Sequence, residues 1–211
     1  MNTFEYITVL VAIVIGLAIA DIVTSLHRLF RAWRRVKWDW VSPLAAMLVL
    51  LELFNVWWCW HGFSGTTLGQ VIPYFAIILL LFLAASASLP DEVPAEGLDL
   101  AEYFDETRPY FWASYAAFVI SWVGLRTALD IGQGLTISQI FADRWFDYLG
   151  MPIYVALIFV KRRLWSALAL LATLLYLAWG CGTCRLRKAP MRGLHLSEDV
   201  QLNYLVAARH R

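Results

Sequence analysis

Apolar residues in this chain come in long blocks separated by short polar stretches. The first block, residues 4–30, reads FEYITVLVAIVIGLAIADIVTSLHRLF, and between Ile7 and Leu26 its one ionisable residue is Asp21. A run of that length and apolarity predicts a membrane-spanning helix over residues 4–29. Residues 41–63 predict a second span, which contains Glu52 and Asn55. Residues 70–89 predict a third, with Pro73 near its start, and residues 110–129 a fourth. Residues 145–160 form the weakest block, short and interrupted by Asp147 and Pro152, and are readable either as a crossing or as a re-entrant segment. Residues 164–184 predict a sixth span. The expected fold class is all-α: a polytopic transmembrane helix bundle of six spans, with five plus a re-entrant segment as the alternative. Residues 1–184 form this bundle, and residues 185–211 form a polar, basic tail with a short amphipathic helix near 199–208.

Composition sharpens the class. Of 211 residues, 61% are hydrophobic and 16% charged, with a mean hydropathy of +0.63. Soluble domains are nearer half apolar and a quarter charged. The net charge of +1 argues against nucleic acid as a partner, leaving the lipid bilayer, a second copy of the chain or a membrane partner protein. Three cysteines are too few for a disulfide framework. The first block is too long for a signal peptide's apolar region and lacks a basic start, so it is expected to be retained as a signal-anchor.

Aromatic and charged residues then suggest how the spans sit. Trp and Tyr collect at headgroup depth. Trp33, Trp38 and Trp40 fall between spans one and two, and Trp57, Trp58 and Trp60 at the opposite end of span two. With six crossings, Trp112 and Trp165 return to the first face, Trp145 and Trp179 reach the second, and Trp122 alone lies mid-span. Lys and Arg favour the cytoplasmic side, but they divide nine against eight between the two faces. The first helix usually dominates, and its basic sequel Arg28, Arg31, Arg34, Arg35 and Lys37 places the N-terminus outside.

The loop after span three is acidic, with Asp91, Glu92, Glu96, Asp99, Glu102, Asp105 and Glu106. It shares a face with the basic first loop, so an electrostatic clasp is expected, against the alternative of two solvated surfaces whose exposed pairs contribute little. Residues 98–104 read as a short helix in the membrane interface.

Several residues look out of place in lipid. Ala12, Gly16, Ala20 and Thr24 recur every four positions in span one, a spacing that lets another helix approach closely; this predicts a central span one. The run Ala84–Ser88 offers the same on span three. Asp21 and Glu52 lie at comparable depth, counted from their shared loop at about 1.5 Å per residue, and Asn55 continues the face of Glu52. Asp21, Glu52 and Asn55 are therefore expected to meet as a proton- or cation-handling centre, because two neighbouring carboxylates cannot both ionise cheaply. The plainer reading is a hydrogen-bonded lock between two helices. Arg126 with Asp130, four residues on, and with Glu5 on the same face, reads as a structural ion pair. Cys181-Gly-Thr-Cys184 has the spacing for thiol–disulfide exchange or for two zinc ligands, and Cys59 with His61 could complete four ligands. No Gly-rich phosphate loop, HExxH pair or GxSxG elbow is present, and no particular cofactor is implied.

The opening Phe4-Glu5-Tyr6, the run from Val9 to Leu17, the basic stretch after it, and the Trp-rich end of span two share a pattern with Tyr103-Phe104, Arg108, Phe111 and Lys161-Arg162-Arg163. In these the chain, over most of residues 1–183, resembles a widespread bacterial family of uncharacterised integral membrane proteins. The resemblance implies about six helices in a bacterial cytoplasmic (inner) membrane and supplies no catalytic residue. Three functions stay open: a channel- or transporter-like protein built around Asp21, Glu52 and Asn55, a non-catalytic scaffold or accessory subunit, and a thiol-redox or zinc-dependent enzyme using Cys181 and Cys184.

Overall fold

A computed structural model of the chain describes residues 3–60 and 68–180. Two compact units emerge, Met1–Leu177 and Ala178–Arg211, and of the second only the last turn of a helix is described. The tail from residue 185 and its amphipathic segment lie outside the described residues.

Six α-helices account for nearly all of the described chain: α1 Thr3–Arg31, α2 Val41–Trp60, α3 Leu68–Ser88, α4 Leu100–Gly132, α5 Ile137–Phe159 and α6 Arg163–Gly180. Three of them, α1, α2 and α3, are long and apolar enough to cross a membrane. Helices α4 and α5 are as long, but Tyr, Trp, Ser, Arg and Asp interrupt their apolar runs. A 3-10 turn at Trp33–Arg35 follows α1, and two short strands, β1 Val36–Lys37 and β2 Leu98–Asp99, pair in parallel with Val36 opposite Leu98.

Local chemistry sets the helix ends. Asp39 accepts the backbone N–H of Val41 at 2.9 Å, at the start of α2. Asp99 caps α4 by accepting the Ala101 N–H at 2.9 Å, which satisfies a donor that has no partner within the helix. Helix α4 therefore starts ten residues before the fourth apolar block. The separate interfacial helix expected at 98–104 does not form: its first two residues are β2 and the rest is the first turn of α4. At the far end Gly134 turns the chain with φ +87°, and Gln139 accepts the Thr136 N–H at 3.0 Å to open α5. The fifth block lies within one 23-residue helix, bent at Arg144 (φ −131°, ψ 28°).

Helix α5 runs antiparallel to α4. Arg144 near its start pairs with Asp130 near the end of α4 at 2.8 Å, while Arg108 in the third turn of α4 donates to the Lys161 carbonyl just past α5 at 2.9 Å. Helix α3 packs against α1, α2 and α4 and is the hub that span one was expected to be. Its small residues Ala84, Ala85 and Ala87 are buried, which allows that close packing. On α1 the buried stripe is Val11, Ile15, Ala18, Ile22, Ser25 and Leu29, a helical 3–4 spacing. Gly16, Ala20 and Thr24 face outward beside it, and a Cβ at Gly16 would meet nothing within 4 Å. The core is densest along α4, where Phe104, Phe111, Trp112, Tyr115 and Phe118 are all buried.

Candidate functional site

Glu52 sits in the middle of α2 with a side chain only 7% exposed. Its helix neighbour Asn55 donates Nδ2–H to Oε2 at 3.3 Å. From α4, the Tyr115 hydroxyl donates to Oε1 at 3.1 Å. Each carboxyl oxygen thus receives one hydrogen bond, and among the described residues no cation lies within ion-pair reach of it. A buried carboxyl needs such partners, because removal from water without them costs several kcal/mol by order of magnitude.

Packing fixes the donor. The Tyr115 ring stacks parallel to Phe111 at 6.1 Å and meets Trp112 and Tyr154 edge to face at 6.0 and 5.2 Å. These are favoured aromatic geometries, and they pack the ring whose hydroxyl reaches Glu52. Further polar contacts extend through α5 and α6. Trp112 donates Nε1–H to Ser166 Oγ at 3.2 Å. Thr173 donates to the Ala169 carbonyl at 2.7 Å, so in its 2.9 Å contact with Tyr154 the tyrosine hydroxyl donates. Tyr176 donates to Asp147 Oδ1 at 2.8 Å. Trp112, expected at headgroup depth, is fully buried in the bundle, so its ring faces protein and not lipid.

Of the expected centre, the structure brings Glu52 and Asn55 together and adds Tyr115. Asp21 has other neighbours: the charges that act on it are Asp91 in the loop after α3 and Arg28 on its own helix, while the charge that acts on Glu52 is Asp147. Depth along two helices does not set which way each face turns, and α1 spends its inward face on α3.

The looped end of the bundle carries the expected clasp. Arg28 donates to the Asp91 carbonyl, Lys37 lies 3.6 Å from Asp99, and β1 pairs with β2 between them. Two hydrogen bonds join the loop between α5 and α6 and the end of α3 to the same end: Arg108 to Lys161, and Tyr103 to the Leu89 carbonyl at 3.0 Å. Arg163 adds an ion pair with Asp39. Hydrogen bonds from the Ala101 and Glu102 backbone, together with Lys37, hold the Asp99 carboxyl below its ordinary range. Burial, with the charges of Asp91 and Asp21, pushes Tyr103 up to about 12, so its hydroxyl stays a donor.

At the other end the expected Arg126–Asp130 pair is replaced. Asp130 pairs with Arg144, and Arg126 lies over the Trp122 ring, 5.5 Å from its centroid. The turn at 133–136 brings Arg144 back to Asp130, and the stacked Arg126 leaves it to that partner. Glu5 lies in α1, but its side chain is outside the described part. So are the side chain of Cys59, at the end of α2, and the whole of His61, Cys181 and Cys184. Among the described residues, no three His, Cys, Asp or Glu side chains gather as a metal would require.

Comparison with protein-family models, with curated proteins and with solved structures finds no match.

Proposed function

We propose that this chain is a multi-pass protein of the bacterial cytoplasmic membrane that crosses the bilayer six times and works as a small transporter- or channel-like protein, with Glu52 taking up and releasing a proton. The observation that carries this reading is a carboxyl inside the bundle, hydrogen-bonded by Tyr115 and Asn55 and without a cation partner among the described residues. Ionisable groups inside a membrane are costly and mark ion and proton pathways. Three helices of crossing length and composition support the membrane setting. The meeting of the loops after α1, α3 and α5 at one end supports alternating crossings. The family resemblance points the same way, and Asp21, half-buried and under the charge of Asp91, would serve as an entry carboxylate on that side.

The test is proton flux into liposomes that hold a pH-sensitive dye, driven by a potassium diffusion potential. Wild-type protein should acidify the lumen. Glu52→Gln keeps the shape and a hydrogen-bond acceptor, and should lose that flux while its circular dichroism stays helical. Equal flux in the two proteins overturns the proposal, as does the absence of flux in wild type.

A second reading is a scaffold or accessory subunit in which Glu52 only locks α2 to α4. The rings of Phe111, Trp112, Phe118 and Tyr154 packed around Tyr115 favour it. It predicts no flux, and recovery of a membrane partner or a second copy on gentle purification.

A further inference from the structure

Beside the clasp lies an open groove of about 520 Å³ between the end of α1 and the loop after α3, lined by Arg28, Arg31, Ala32, Arg35, Asp91, Glu92 and Val93. Arg28 already gives an N–H to the Asp91 carbonyl. Among the described residues Arg31 and Arg35 enter no ion pair, and both are exposed. Three arginines and two acidic residues thus line one groove. The groove keeps its shape because Gly97 lets the second loop close on the first: its φ is +104°, and a Cβ there would lie 2.8 Å from the Arg35 carbonyl oxygen.

Depth gives the groove its ligand class. Trp33 lies between Arg31 and Arg35, Trp38 and Trp40 follow them, and all three are exposed, Trp40 by 87%; Phe30 packs against Trp38 with ring centroids 5.3 Å apart. Exposed tryptophans beside an apolar helix end belong at headgroup level. Guanidinium forks match the oxygens of a phosphate. A groove with arginines alone would suit any anion; the carboxylates of Asp91 and Glu92 add acceptors for a headgroup that ends in N–H donors.

We infer that this groove binds the headgroup of a phospholipid that ends in a primary ammonium, a phosphoethanolamine, with Arg31 and Arg35 on the phosphate and Asp91 and Glu92 facing the ammonium. The inference rests on the membrane placement proposed above. Choline presents no N–H to the carboxylates, and a glycerol headgroup brings no positive charge to them.

The experiment reconstitutes the full chain in vesicles of phosphatidylcholine, phosphatidylethanolamine and phosphatidylglycerol in equal parts. Alkaline carbonate washing scores membrane integration first. The protein is then extracted gently, and the lipid retained on it is measured by mass spectrometry. Wild type should retain phosphatidylethanolamine over both others. Arg31→Gln with Arg35→Gln should lower that retention by at least about fivefold, the factor expected from one basic residue at a charged surface. Asp91→Asn with Glu92→Gln should keep phospholipid bound but erase the preference for ethanolamine. Release by carbonate overturns the membrane reading itself. Integration with retention that ignores the arginines overturns the groove alone. A preference for phosphatidylglycerol, or displacement of the lipid by added inorganic phosphate, shows plain anion attraction and also overturns it.

Discussion

Glu52 and Asp99 are both carboxylates that join one helix to another part of the chain, and they are held by different means. Asp99 sits at the looped end, accepts backbone N–H groups and lies 3.6 Å from Lys37. Glu52 sits inside the bundle and takes its hydrogen bonds from Tyr115 and Asn55. At the looped end the Lys37–Asp99 pair lies open to water, which screens it and leaves it worth little. The strength there comes from many small ties across three loops. Inside, the partners are few and each is fixed by ring packing, so one lost contact leaves a polar group with no substitute. The two proposals rest on this contrast, headgroup binding on the exposed end and proton exchange on the buried centre.

The difference can be broken from either side. The largest effect is expected inside. Tyr115→Ala removes a fully buried ring and the donor to Glu52, and should lower stability by about 3–5 kcal/mol, the range for deleting a large buried aromatic. Unfolding in mixed micelles measures it. Tyr115→Phe keeps the ring and removes only the hydroxyl, and should cost about 1–3 kcal/mol. A null result for Tyr115→Phe would mean that the hydroxyl does not support Glu52. Next comes the looped end, where Gly97→Ala forces a side chain into positive φ against the Arg35 carbonyl. A cost of about 1–3 kcal/mol is expected, read as faster proteolysis between residues 89 and 99 with the helices intact.

The smallest effect is that of acid on the clasp. The native Asp99 carboxyl is held below its unfolded value. Its contribution is therefore fully present above the unfolded pKa, about 3.9, and is lost as pH falls through the lower native value. Fluorescence of the nearby tryptophans at 33, 38 and 40 should follow this loss. Asp99→Asn should flatten the dependence, and an unchanged acid profile would remove Asp99 from the clasp.

Much of the helical architecture was legible in the chain because apolar blocks report helices directly. The six blocks fall on α1 to α6, the fifth on the part of α5 that follows the bend at Arg144. The start of α4 was legible too, since Asp99 three residues before Glu102 is a helix-start signature. The apolar block itself begins only near Tyr110, so hydropathy alone starts the helix ten residues late. Packing was less legible. Ala12, Gly16, Ala20 and Thr24 do share a face, but spacing does not say whether that face turns in or out, and the neighbouring stripe of Val11, Ile15 and Ala18 is the buried one. Asp130 had a nearer candidate in Arg126, and only the turn at 133–136 brings Arg144 to it. For the candidate site, Glu52 with Asn55 followed from helical spacing. Tyr115 lies 63 positions away on another helix, and its one sequence signal was a tyrosine inside an apolar span, whose hydroxyl must find a partner.

The central claim is that Glu52 exchanges a proton while folded inside the membrane. Infrared difference spectroscopy of the reconstituted protein, titrated across pH, reads a protonated carboxyl directly through its C=O stretch. The account predicts, beside the bands of the other carboxyls, one component that grows and fades with pH, shifts in Tyr115→Phe as its hydrogen bond is lost, and is missing in Glu52→Gln. A pH difference spectrum that is the same in Glu52→Gln as in wild type would contradict it.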